Sequence, residues 1–116
     1  MTPDTVIEHV CNLPLAFRNG GKSPWQLVRE SGFPECTPAP SADALSGYLA
    51  LHPELVEQWL GWSEDKRVSS GWYFMRQDPG YVVAFYPNGE TLNFTQATLA
   101  CAEFVVREVR SIASIP

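Results

Sequence analysis

The side chains with the widest chemical repertoire in this 116-residue chain are three cysteines and two histidines. Cys11, Cys36 or Cys101 could meet His9 or His52 in space, as the nucleophile and base of a covalent hydrolase do. Nothing around them completes that arrangement. No Gly-x-Ser-x-Gly turn and no cysteine-hydrolase context is present. Cys101 falls in an apolar helical stretch and reads as an inert core thiol. Cys36 lies in a proline-rich loop and is the one cysteine placed to react, although a bystander role suffices to explain it. His9 and Cys11 are two residues apart, so on a helix they diverge by about 200° and do not form half a metal site. Glu54 with Glu57, and Glu64 with Asp65, are paired carboxylates, but no histidine or aromatic pocket divides them into acid and base. Gly20-Gly21-Lys22-Ser23 has the tail of a phosphate loop without its first glycine or its preceding strand. The expectation is a non-enzyme with no metal and no cofactor.

Charge carries more information. Lys plus Arg number 8 and Asp plus Glu 13, a net charge of −5. From Glu30 to Asp65 there are seven acids (Glu30, Glu35, Asp43, Glu54, Glu57, Glu64, Asp65) and no Lys or Arg. That block is −7, and the remaining chain is +2, since the whole is −5. Such asymmetry either keeps a protein soluble or steers a basic partner toward it, and it argues against nucleic acid or an anionic membrane. The block also holds Trp59 and Trp62, three apart on one helix side. Trp62, next to Gly61, is the one expected to be partly exposed and to anchor a partner.

These residues must be held by one domain spanning 1–116. Hydrophobic residues make up 45% and charged residues 18%, a globular composition. A chain of this length buries roughly two thirds of its unfolded surface. The N-terminal stretch lacks the basic and apolar regions of a secretion signal, and no apolar run approaches the ~18 residues of a membrane span. An odd number of cysteines without such a signal implies reduced thiols in the cytoplasm.

Four helical segments are expected first. Thr2-Pro3-Asp4 opens the first, and Pro14 should end or kink it before the Asn19-Gly20-Gly21 break. Ser23-Pro24-Trp25-Gln26 is a capping box opening the second. Ser41 caps the third, and Pro53 starts the fourth, which carries Leu55, Val56, Trp59 and Leu60. SEDKRVSS reads as a loop. The period then changes. WYFMRQ, YVVAFYP and ETLNFT are aromatic and β-branched, as strands are. Thr95 should cap a final helix reaching about Ser114, with Leu99, Ala102, Val105, Val106, Val109 and Ala113 inward. The class is α+β: four helical segments, a three-stranded antiparallel meander, and a long C-terminal helix packed on one sheet face.

Turn chemistry predicts the register. With Asn88-Gly89 as a two-residue turn, Phe85 faces Leu92 and Val83 faces Phe94. With Pro79-Gly80 central, Phe74 faces Phe85. One face then collects Trp72, Phe74, Val83, Phe85, Leu92 and Phe94 as core. The other collects Tyr73, Met75, Val82, Ala84, Tyr86, Thr91 and Asn93. It is richer in tyrosine than a solvated face should be, so either a helix covers it or it binds something.

In style, SPWQLVRESGF and SSGWYFMRQDPGYVVAFYPNGETLNF resemble segments of the small acidic immunity proteins that neutralise bacterial toxins. The resemblance implies a stoichiometric inhibitor whose acidic surface blocks a basic partner, such as a nuclease-type toxin. The charge block itself places binding at Glu54, Glu57, Trp62, Glu64 and Asp65, with Tyr73, Met75 and Tyr86 as an alternative surface. A cleft-bearing enzyme or ligand-binding domain, or a homodimer closed through the tyrosine face, are the other readings. The partner is a basic protein, not a nucleic acid or a membrane, and the chain is a monomer or a homodimer. One expectation follows directly. Thiol titration of the denatured, unreduced protein should return three equivalents, and fewer would place the chain in an oxidising compartment.

Overall fold

A computed structural model describes residues 2–66 and 70–116. Helices α1 (Pro3–Cys11), α2 (Leu13–Gly20) and α3 (Pro24–Glu30) lead through a 3-10 turn at Phe33–Glu35 to α4 (Ala42–Leu51) and α5 (Glu54–Asp65). Strands β1 (Gly71–Gln77), β2 (Gly80–Tyr86) and β3 (Thr91–Phe94) follow, and α6 (Ala97–Ala113) closes the chain. The class is α+β with an antiparallel sheet of order β1-β2-β3.

Helix starts follow their caps. Thr2, Ser23 and Ser41 each accept a hydrogen bond from a backbone N–H three residues on. The helix count differs from expectation: among the described residues five α-helices precede the sheet, not four segments. Pro14 does not end a helix. It sits in the first turn of α2, where its missing N–H is not needed. Asn12 joins the two helices, its amide donating to the Glu8 carbonyl at 2.8 Å and its own carbonyl accepting from Leu15 and Ala16. Helix α5 also runs into the stretch expected to be a loop, through Ser63, Glu64 and Asp65. Arg67–Ser69 of that stretch lie outside the described residues. Thr95 is not the final cap; Gln96 is, without a side-chain hydrogen bond.

Helix α6 packs on one face of the sheet and is also the central element of the helical layer. It contacts α4 and α3 as well as all three strands. Ala100, Cys101, Ala102, Phe104, Val105, Val106 and Val109 are all buried, so apolar side chains surround it. Phe104 stacks on Phe74 of β1 at 5.7 Å and meets Trp59 of α5 edge-on at 6.0 Å. Trp59 donates its indole N–H to the Cys11 carbonyl at 3.0 Å, which fixes α5 against α1.

Both hairpins slide by two residues from the expected register. The observed pairs are Phe74↔Val83 and Gln77↔Gly80 in one, and Val83↔Leu92 and Tyr81↔Phe94 in the other. A two-residue Asn88-Gly89 turn would need Pro87 to donate to Glu90, and proline has no N–H. Phe85 N–H bonds the Glu90 carbonyl instead, around a four-residue loop. The first turn is centred on Asp78-Pro79, and Gly80 enters the strand opposite Gln77. A Cβ there would strike the Phe94 carbonyl.

A two-residue slide preserves which face each side chain takes. It moves Phe85 to the outer end of the sheet, 39% exposed against Trp72, and leaves Leu92 and Phe94 half-buried. The expected burial of Phe85 is therefore corrected, and Phe104 fills that role. Phe74→Ala should cost about 3–5 kcal/mol, and Phe85→Ala about 1–2 kcal/mol. Denaturant melts giving equal costs would contradict this assignment.

Candidate functional site

Helix α5 runs antiparallel to β1 along the strand's outer edge. Ser63, buried, accepts the Phe74 N–H at 2.7 Å. Toward the other end, Arg76 donates to Glu57 at 2.6 Å. That carboxylate, ahead of Tyr81, holds the Arg76 guanidinium above its ordinary value. An edge strand needs its outward N–H groups satisfied or covered, and α5 does both at the middle of β1.

Between α5 and the sheet lies a groove of about 650 Å³. Leu60, Ser63, Glu64 and Lys66 form its helix wall, and Tyr73, Met75 and Tyr86 its sheet wall. Consecutive residues Gly71–Arg76 all line it, so the β1 backbone forms its floor. One of the α5 acids, Glu64, and the tyrosine face thus meet in one groove.

Among the described residues no helix roofs that tyrosine face. Phe74 and Val83 of the opposite face join the core with α6, whereas Met75 is 45% and Tyr86 54% exposed. Val82 and Ala84, cross-strand neighbours of Met75 and Tyr73, are buried between them and β3.

The floor end of the groove rests on a group absent from the sequence reading. Glu108, on α6, is only 3% exposed. Lys66 Nζ reaches both of its carboxylate oxygens, at 2.7 and 2.8 Å, and the Trp62 indole N–H donates to one at 2.8 Å. A buried carboxylate needs such partners. The signal was available, since Glu108 follows Phe104 and Val105 by four and three residues and so shares their apolar side of α6.

The expected site residues separate accordingly. Glu64 lines the groove, and Glu57 stands at its end through Arg76. Trp62 is half-buried, packed on Trp59 at 5.2 Å and Phe17 at 5.6 Å, with its N–H committed to Glu108. It is a structural ring more than a projecting anchor. Glu54 and Asp65 are exposed and lie outside the groove lining. Glu54 instead stands 3.8 Å from His52, whose ring stacks on Tyr48 at 4.4 Å. Outside α5, Glu30 is paired to Lys22 at 2.7 Å, which lowers its carboxyl below the ordinary range.

Neither His52 nor Cys36 lines the groove. Burial raises the Cys11 thiol from 9.0 to about 12. Burial, and then the neighbouring Cys11, also raises Cys101. Both therefore stay protonated and are poor nucleophiles. Among the described residues no three His, Cys, Asp or Glu side chains gather as metal ligands do, and no helix is long and apolar enough to cross a membrane. Comparison with protein-family models, curated proteins and solved structures found no match.

The buried pair yields an asymmetric test. Lys66→Met leaves Glu108 buried without its cation and should destabilise by about 3 kcal/mol. Adding Glu108→Gln removes the stranded charge and keeps an acceptor for Trp62. The double variant should then melt above the Lys66→Met single variant. A double variant less stable than the single one would mean that Glu108 is compensated some other way.

Proposed function

We propose that this chain is a non-catalytic protein-binding module, an immunity-type inhibitor that neutralises a basic, toxin-like partner in a bacterial cytoplasm. The observation that carries this reading is the groove. One wall comes from a helix with four acids and no cation between Glu54 and Asp65. The other comes from a sheet face that leaves Met75 and Tyr86 exposed. An aromatic centre beside a charged rim is the anatomy of a protein interface. The acids supply long-range attraction, and Tyr73, Met75 and Tyr86 supply short-range contact area.

A second reading has one observation in its favour. The groove's volume is within the range of small-molecule sites, which suits a small ligand-binding or enzymatic domain. A homodimer closed through Met75 and Tyr86 would use the same surface.

The test is electrostatic. The partner is captured from the native host, purified, and mixed in stopped flow with wild type and with Glu57→Lys/Glu64→Lys. At low salt the association rate should fall by about tenfold or more in the double variant, and wild type should slow as salt rises. Stability should change little, because exposed ion pairs contribute about 0–1 kcal/mol. A partner that binds the double variant as fast as wild type at low salt would overturn the proposal.

A further inference from the structure

The geometry points to a second copy of this chain at the open edge of β3, paired antiparallel about a two-fold axis through Leu92. The contact does not rest on the protein-binding reading, because it leaves the groove beside α5 untouched.

Backbone direction alternates along each strand. Phe85 donates to the Glu90 carbonyl, so the odd-numbered residues of β2 turn their N–H and C=O groups toward β3. Their partners Leu92 and Phe94 turn theirs toward β2. Thr91 and Asn93 are left pointing theirs outward. Both residues are exposed, and among the described residues no hydrogen bond reaches their backbone groups on that side. The other edge of the sheet is treated differently: α5 flanks β1, and Ser63 accepts the Phe74 N–H. Edges are commonly blunted by a charge, a proline or a bulge, and β3, with the sequence TLNF and an unbroken register, has none of these. Outward N–H and C=O groups at alternate positions are what an incoming extended strand pairs with. The shortness of β3 keeps the contact small, which makes it reversible and dependent on concentration.

The strand that fits is β3 itself. About a two-fold axis at Leu92, Thr91 faces Asn93 of the copy and exchanges both backbone hydrogen bonds with it, and symmetry repeats the exchange. Leu92 meets its own symmetry mate as a non-hydrogen-bonded pair, where side chains approach most closely. Half-buried Leu92 and Phe94 lie on the core side of the sheet, and the pairing covers them further. On the other side the Thr91 hydroxyl meets the Asn93 amide. No charged strand residue lies opposite its like. Glu90 faces Phe94 of the copy, and the two Glu90 residues stand about 13 Å apart along the strands.

Charge selects a second copy over a basic segment. Strand β3 carries no acid that would favour a cation. The acids of α5 lie beyond β1, at the far edge of the sheet. In the strand order β1-β2-β3-β3-β2-β1 the two β1 strands are about 24 Å apart, well over the Debye length of about 8 Å. The acidic helices therefore do not oppose this contact. The two grooves open at opposite ends of one continuous sheet, so the dimer presents both.

Sedimentation equilibrium from about 10 µM to about 1 mM reads the mass. Wild type should rise from the 12.9 kDa chain toward twice that mass, and its amide signals should shift with concentration across 90–95. Thr91→Lys/Asn93→Lys sets like charges opposite each other and should weaken self-association about tenfold or more. That variant is less acidic than the wild-type −5, so general repulsion would act the other way. Thr91→Glu/Asn93→Glu should also stay monomeric, and an equimolar mixture of the two variants should dimerise. Both positions are exposed, and retained amide dispersion confirms that each variant is folded. Met75→Ala/Tyr86→Ala should associate as wild type does. Wild type that stays monomeric at about 1 mM overturns the inference. So does a Lys variant that associates as wild type does, or a mixture that stays monomeric. A loss caused by the Met75 and Tyr86 pair also overturns it and moves the contact to the outer sheet face.

Discussion

Glu108 is the one charged side chain buried among the described residues, and α5 is placed to answer it. It sits in the middle of a helix that is buried on nearly every side, and a carboxylate in that position must be neutralised and hydrogen-bonded. Its partners come from the end of α5, the Lys66 ammonium and the Trp62 indole. The requirement therefore fixes where α5 stops and how it is rotated. Trp59, one turn earlier, is fixed by Phe104 and by the Cys11 carbonyl. Two consecutive turns of α5 are thus tied to α6, and the rest of the helix has little freedom.

From that placement the groove follows. With Trp59 turned inward and Ser63 against Phe74, the groove lies beside Leu60 and Glu64. The helix that guards the β1 edge is also the wall of the groove, so edge protection and site construction are one arrangement. The acids of α5 are left on the side that the core does not use. Their position is a consequence of packing; their number, without one compensating cation in the helix, is not.

Much of the architecture was legible because local chemistry and tertiary structure agree. The caps at Thr2, Ser23 and Ser41, the change of period after Gly71 and the assignment of sheet faces all rest on short-range rules. The misses arise where a single backbone group decides. Pro14 looks like a terminator until Asn12 is seen closing one helix and opening the next. Asn88-Gly89 looks like a tight turn until the missing N–H of Pro87 is counted. Phe85 shows that face and depth are separate properties: the parity of a strand position gives the face, whereas depth depends on where the helices end. In the candidate site, the acids of α5 and the tyrosine face were both visible, but as rivals. The meeting of Glu64 with that face in one groove depends on the antiparallel course of α5 and β1, which no spacing rule contains.

The same distinction bears on Trp62. An aromatic ring beside a helix-end glycine and inside an acidic stretch has the composition of an exposed binding anchor. Its indole N–H decides otherwise, since a donor 2.8 Å from a buried carboxylate is held by that carboxylate. Freeing the ring to reach a partner would strip Glu108 of one of its two partner groups in a low-dielectric setting. Trp62 therefore holds Glu108 and the end of α5 in place. The site then divides its labour by depth. Buried polar contacts set the geometry of the helix wall, while the exposed acids and the sheet face lie outward of them.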